Sequence, residues 1–191
     1  MKNLKHFIVT IFCACSLSAL SQEKQEIKKP SEGKSLVYII RPSNFAFLVG
    51  FKVFNNDKYL AKIGAKNYLV YECNPGEQLF WAEAENKDFV NVSLEANKTY
   101  VLLLVPKMGA FKAAVDLKPC SPLDKDQRLA LYSAVKDSKE YIFTEESVKL
   151  IDEYKTIRSG LKKYEKLKNS NPDKISILNP NMNFVNADKP E

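Results

Sequence analysis

Apolar residues follow two rhythms along this chain. Between Ser35 and Lys118 they come in short runs rich in Val, Ile, Tyr and Phe, bounded by Pro, Gly and Asn. Beyond Ser121 they recur every three or four residues. The first rhythm predicts about eight strands: 35–40, 47–54, 58–63, 68–72, 77–84, 89–94, 99–105 and 111–117. Breaks at Arg41-Pro42-Ser43-Asn44, Asn55-Asn56-Asp57, Asn74-Pro75-Gly76 and Lys118-Pro119 separate them. Such spacing is that of an all-β sandwich or barrel.

Alternation says which faces are covered. In 89–94, Val90, Val92 and Leu94 share one face, and Phe89, Asn91 and Ser93 the other. In 77–84, Phe80, Ala82 and Ala84 line one face while Leu79 and Trp81 lie on the second. That second face calls for a local cover. Strand 99–105 is apolar on both faces, as a central strand covered twice would be.

The second rhythm predicts two helices. Ser121 reads as an N-cap, with Pro122 at the first helical position and Asp124 three after the cap, for a helix to about Asp137. Thr144-Glu145-Glu146 opens a longer one, acidic early and basic late. Its seam of Leu150, Tyr154, Ile157, Leu161 and Tyr164 is expected to pack on the chain's own sheet rather than on a partner. Residues 121–170 thus form a helical extension on a β domain at 35–118. The Asn- and Pro-rich segment 171–191 is expected to be extended or disordered.

The N-terminus changes the compartment. Lys2 and Lys5 precede an apolar run from Phe7 to Cys15, and Ala19-Leu20-Ser21 places small residues at a cleavage site before Gln22. Residues 1–21 are read as an export signal, and the charged stretch 22–34 as a flexible linker. The expected product is periplasmic, outer-envelope or secreted, without a transmembrane helix. Lipid attachment at Cys15 is the alternative processing, although Phe12 stands where such sites usually carry Leu.

Cleavage also removes chemistry. The two signal lysines take the formal charge from +6 to +4, and His6, the single histidine, leaves with them. Imidazole-activated nucleophiles and histidine zinc sites are then excluded. Only Cys73 and Cys120 remain, 47 positions apart and without Cys-x-x-Cys spacing. In an oxidising compartment they are expected to form a disulfide.

The β region also resembles a known family. Tyr38, Arg41 and Pro42 at the opening strand, the Pro75-Gly76 turn and the strand start at 97–100 resemble domain of unknown function 2846 over about residues 36–117. That family comprises small secreted or lipid-anchored bacterial envelope domains. The resemblance implies an immunoglobulin- or transthyretin-like antiparallel sandwich and carries no activity. Asn97 stands where glycine is usual; asparagine also tolerates the left-handed conformation.

Other candidates follow from single residues. Arg41, beside a strand-ending proline, is expected to fold back over the sheet edge. Its partner would be an internal carboxylate or solvent, with a ligand anion as the sharper reading. Lys155, Arg158, Lys162, Lys163, Lys166 and Lys168 face Glu165 alone as an acid. They read as a solvated helix face, or as contacts for an anionic surface. Glu83 and Glu85 share a strand face near Asp88, which leaves an acid-only glycan hydrolase as an alternative. Asn55-Asn56-Asp57 lacks the further acids of a calcium loop. Asn91-Val92-Ser93 and Asn97-Lys98-Thr99 match the glycosylation sequon, which matters only in a source that glycosylates asparagine. No phosphate loop or nucleophile elbow is present. The expected function is a non-catalytic envelope module without metal or cofactor. It would bind a protein, a glycan or a lipid surface, and not nucleic acid. Assembly through the second helix is a further alternative.

Overall fold

In the computed structural model, residues 26–146, 153–185 and 189 are described. The export signal, Cys13, Cys15, the Ser21 cleavage point and Leu150 lie outside them. Eight strands follow the expected order: β1 Ser35–Arg41, β2 Phe51–Asn55, β3 Lys58–Ile63, β4 Asn67–Cys73, β5 Gly76–Glu83, β6 Lys87–Leu94, β7 Thr99–Met108 and β8 Ala113–Pro119. Helix α1 spans Lys125–Asp137 and α2 Tyr154–Ser170. Two short strands were not anticipated, β9 Lys139–Tyr141 and β10 Ser176–Leu178.

The protein is mainly β, with two five-stranded sheets ordered β8-β7-β1-β4-β9 and β10-β6-β5-β2-β3. The sheets share one core. Val37, Ile39, Tyr100 and Leu102 from the first meet Phe51, Val53, Phe80 and Val90 from the second. The pairing is not wholly antiparallel, which departs from the antiparallel sandwich expected. β1 runs parallel to β7, β4 to β9 and β6 to β10. Long intervening segments permit this, because a parallel pair needs a crossover rather than a hairpin.

Each sheet carries a helix on its outer face. Leu131, Ala134 and Val135 of α1 pack on Tyr38, Ile40 and Val101. Ile157, Leu161, Tyr164 and Leu167 of α2 pack on Phe54, Leu79, Trp81 and Phe89. The described part of the seam therefore serves the chain's own sheet, except at Tyr154, which is exposed. The cover expected over Leu79 and Trp81 is α2. Gly160 lies against Trp81, and a Cβ there would sit 2.5 Å from the indole ring. Trp81 itself stacks on Phe54 at 3.8 Å and donates Nε1–H to the Asn56 carbonyl.

Helix boundaries differ from expectation. The N-cap of α1 is Asp124, which accepts from the Asp126 and Gln127 amides. Ser121 Oγ instead accepts from Leu123 N, a local turn that delays the helix by three residues. The long second helix does not run unbroken from Thr144, since Glu153 is a non-helical N-cap for α2. Pro172 ends α2 by disfavouring the helical conformation at Asn171, which sits at φ −160.

The described parts of the lead-in and the tail are tied down where looseness was expected. In the lead-in, Ile27 is buried and Lys28 N donates to Tyr38 Oη. In the tail, Ile175, Leu178 and Phe184 are buried, and Phe184 N donates to the Thr99 carbonyl. Each segment reads as polar, yet Ile27 anchors the lead-in, and Ile175, Leu178 and Phe184 anchor the tail.

Candidate functional site

β1, β5 and β7 end at the same end of the two sheets, where β2, β4 and β8 begin. Two loops stand there, 42–50 after β1 and 109–112 between β7 and β8. Each is organised by one charged side chain.

Arg41 holds the first. Alternation along β1 sends Val37 and Ile39 into the core between the sheets, and Arg41 follows them to its open end. The residue is fully buried, with its guanidinium 4.0 Å from the Phe51 ring centroid. Nη1 donates to the Val49 carbonyl at 2.5 Å and the Ile63 carbonyl at 3.1 Å. Nη2 donates to the Phe45 and Ala46 carbonyls at 3.1 and 2.9 Å. Neither an internal carboxylate nor solvent is its partner, contrary to expectation; four carbonyl dipoles are. Burial lowers its pKa from the usual guanidinium value. Arginine nevertheless stays protonated, so the fixed fork remains a full set of donors. Three of the four carbonyls belong to loop 42–50, whose bend includes Ala46 at φ 54.

Glu85 holds the second loop. Its carboxylate accepts from Ala110 N at 2.9 Å, Phe111 N at 3.1 Å and Lys112 N at 2.5 Å. These amides hold its pKa below the ordinary carboxylate value. Gly109 lets the loop close, because a Cβ there would collide with Glu85 and the Lys112 carbonyl.

What the two loops and the adjoining end of β7 present is apolar. Phe47 is 64% exposed, Leu48 85%, Met108 81% and Phe111 95%, with Phe45 at 48%. Other exposed apolar side chains, such as Leu123, Ile142 and Ile177, lie singly on separate elements. Val49, Gly50, Lys62, Glu85, Phe111 and Lys112 border a cleft of about 560 Å³ between the loops. The charges there are uneven. Glu83 pairs with Lys87 at 2.5 Å, and Glu153 with Lys52 at 2.7 Å. Lys62 and Lys66 are exposed and in no ion pair among the described residues. Lys112 has Glu85 as its acid, whose oxygens already serve backbone amides.

The remaining candidates lie elsewhere. Cys73 and Cys120 are free thiols. Cys73 ends β4 on the inner face, and Cys120 follows β8 on the outer face beneath α1. Two strands separate β4 from β8, a span of about 14 Å at ordinary strand spacing. A disulfide needs Cα atoms within about 7 Å, so the expected bond is not made. Burial pushes the Cys73 thiol up to about 11 and Cys120 to about 12. Lys155, Arg158, Lys162, Lys163, Lys166 and Lys168 form the exposed side of α2. Lys163 Nζ donates to the Lys87 carbonyl at 3.3 Å. Asp88 accepts from Leu117 N at 2.7 Å, and burial raises its pKa. Asn55, Asn56 and Asp57 close the β2–β3 hairpin, with Asn56 at φ 50, and no metal-ligand cluster occurs among the described residues. Asn97 is left-handed at φ 62.

Sequence reasoning singled out Arg41 but missed the loops. It ran strand 47–54 through Phe47 and Leu48, whereas β2 begins at Phe51. The absence of alternation in Phe45-Ala46-Phe47-Leu48-Val49-Gly50 was the available signal. Compared with protein-family models and with curated proteins, the chain matches none.

Proposed function

We propose that this chain is a non-catalytic exported module that binds an envelope component through the loop end of an immunoglobulin- or transthyretin-like sandwich. One observation carries the reading: two apolar loops, each held in shape by a charged side chain, stand exposed at one end of the sheets. Exposed Phe, Leu and Met side chains grouped in this way are a feature of interaction sites. Ordering the loops in advance reduces the entropy lost on binding. The resemblance to domain of unknown function 2846, which carries no activity, agrees with it.

The alternatives find less support. An acid-only hydrolase needs a carboxyl with raised pKa beside a second free one. Asp88 is raised, but it is engaged by Leu117 N, and the second free carboxyl is missing, since Glu83 is ion-paired and Glu85 is lowered and engaged by amides. Assembly through the second helix would need its seam, which is spent on Trp81 and Phe89.

The test is cosedimentation of the purified chain with a cell-envelope fraction. A Leu48→Ser/Phe111→Ser variant should lose retention while keeping its unfolding temperature. Equal retention of variant and wild type would overturn the proposal. Export itself is tested by sequencing the N-terminus of the mature protein, expected at Gln22.

A further inference from the structure

We infer that the occupant of the loop end is an anionic lipid surface. Phe45, Phe47, Leu48, Met108 and Phe111 would enter the headgroup–acyl boundary, with Lys62, Lys66 and Lys112 against lipid phosphates. This rests on the loop-end reading above and names its partner.

Charge complementarity is the first argument. The acids at this end are engaged: Glu83 by Lys87, Glu153 by Lys52, and Glu85 by three backbone amides. Lys62 and Lys66 are left without an acid, on the end of β3 and the following turn. Lys112 stands beside Phe111 on the second loop. The surface thus pairs bare apolar tips with uncompensated cations, the combination that an anionic membrane interface attracts. Lysine stems also let the ammonium reach phosphate while the methylenes lie along apolar surface.

Composition is the second argument. Energetic centres of protein interfaces favour Trp, Tyr and Arg, and such interfaces are depleted in Lys. Phe and Met occur at either kind of interface; the contrast here is that the exposed cations are Lys, Arg41 is buried beneath them, and neither loop carries Trp or Tyr. Shape is the third. The apolar side chains stand on two separate loop tips, which a bilayer accommodates without a matching partner surface. The staples on Arg41 and Glu85 keep those tips from folding back onto the sheets.

The experiment uses the full mature chain and vesicles of phosphatidylglycerol mixed with phosphatidylcholine, against phosphatidylcholine alone. Cosedimentation is expected with the anionic vesicles only, and should weaken with salt. Replacing Lys62, Lys66 and Lys112 by Gln one at a time should lower binding about fivefold each. Leu48→Ser/Phe111→Ser should abolish it. In Phe111→Trp the new indole should shift its emission to the blue on binding, since Trp81 is already fully buried. Failure to bind anionic vesicles overturns the lipid assignment. If loop substitutions still abolish retention by the envelope fraction, the loop-end reading stands with a protein or glycan occupant. If that retention is also unchanged, both readings fail. Vesicle binding that survives the loop substitutions but is lost in Lys162→Gln/Lys163→Gln/Lys166→Gln overturns the inference in favour of the α2 face.

Discussion

Arg41 and Glu85 solve the same problem with opposite charges. Each gathers main-chain groups of a loop in addition to the loop's own backbone bonds, Val49 N to the Ala46 carbonyl and Gly109 N to the Lys112 carbonyl, one through carbonyls and the other through amides. Arg41→Met keeps the stem over Phe51 and strips donors from four carbonyls. It should cost about 2–4 kcal/mol in urea unfolding. Limited proteolysis should then cut within 42–50, and an unchanged midpoint with no new cut would refute the role. Glu85 predicts a pH effect. Its pKa in the folded chain lies below the usual value of 4.5, so its contribution is present above that value. It is lost as pH falls through the lowered one. The amide resonances of Ala110, Phe111 and Lys112 should therefore shift with a common midpoint below 4.5, and Glu85→Gln should remove the transition. A midpoint at or above that value would contradict the staple. Asp88 has the opposite sign. Its raised pKa favours the folded state below the ordinary aspartate value, and the benefit is lost as pH rises through the raised one. Global acid stability mixes the two, which is why the loop amides are the informative probe.

Among the elements, α2 depends on a missing side chain. Gly160 is the one described residue of α2 that is buried, and the Trp81 ring fills the space its Cβ would take. Trp81 cannot retreat, because Phe54 stacks on its ring at 3.8 Å. Gly160→Ala gains about 1 kcal/mol of helix propensity but overpacks a closed contact, typically about 1–3 kcal/mol. The expected result is a net loss of up to about 2 kcal/mol in chemical denaturation. Ser159→Ala on the exposed side should be neutral or slightly stabilising. A Gly160→Ala variant more stable than wild type would mean that α2 does not pack as described. The same contact shows what was legible in sequence. Alternation in β5 announced a covered face at Leu79 and Trp81, and i, i+4 spacing announced the helix that covers it. β9 and β10 had no such signal. Three residues are too few to alternate, and their pairing is set by β4 and β6, far away in the chain.

For the whole molecule, periodicity reported the covered faces of β5, β6 and β7 but gave no account of which strands become neighbours. The expected disulfide depended on that second kind of information. Counting cysteines left Cys73 and Cys120 as partners, but β1 and β7 come between their strands and the two thiols face opposite sides of the sheet. Trp81 lies beneath α2 without any such bond, because β5 alternates. Arg41 was visible as a charge at a strand end, whereas its partners were not, since carbonyl dipoles leave no mark in a sequence. The thiols give the last prediction. The nucleophile is the thiolate. With Cys73 raised to about 11 and Cys120 to about 12 by burial, almost none is present at neutral pH. A native chain beginning at Gln22, which carries Cys73 and Cys120 alone, should react slowly with a thiol reagent at neutral pH and take up two equivalents once unfolded. Cys73 is half-buried and has the lower value, so it should be the first to react as pH is raised. A covalent tie between β4 and β8 would instead make the unfolding temperature fall on adding reductant. The described arrangement requires that temperature to be the same with and without reductant, because no bond joins the two strands.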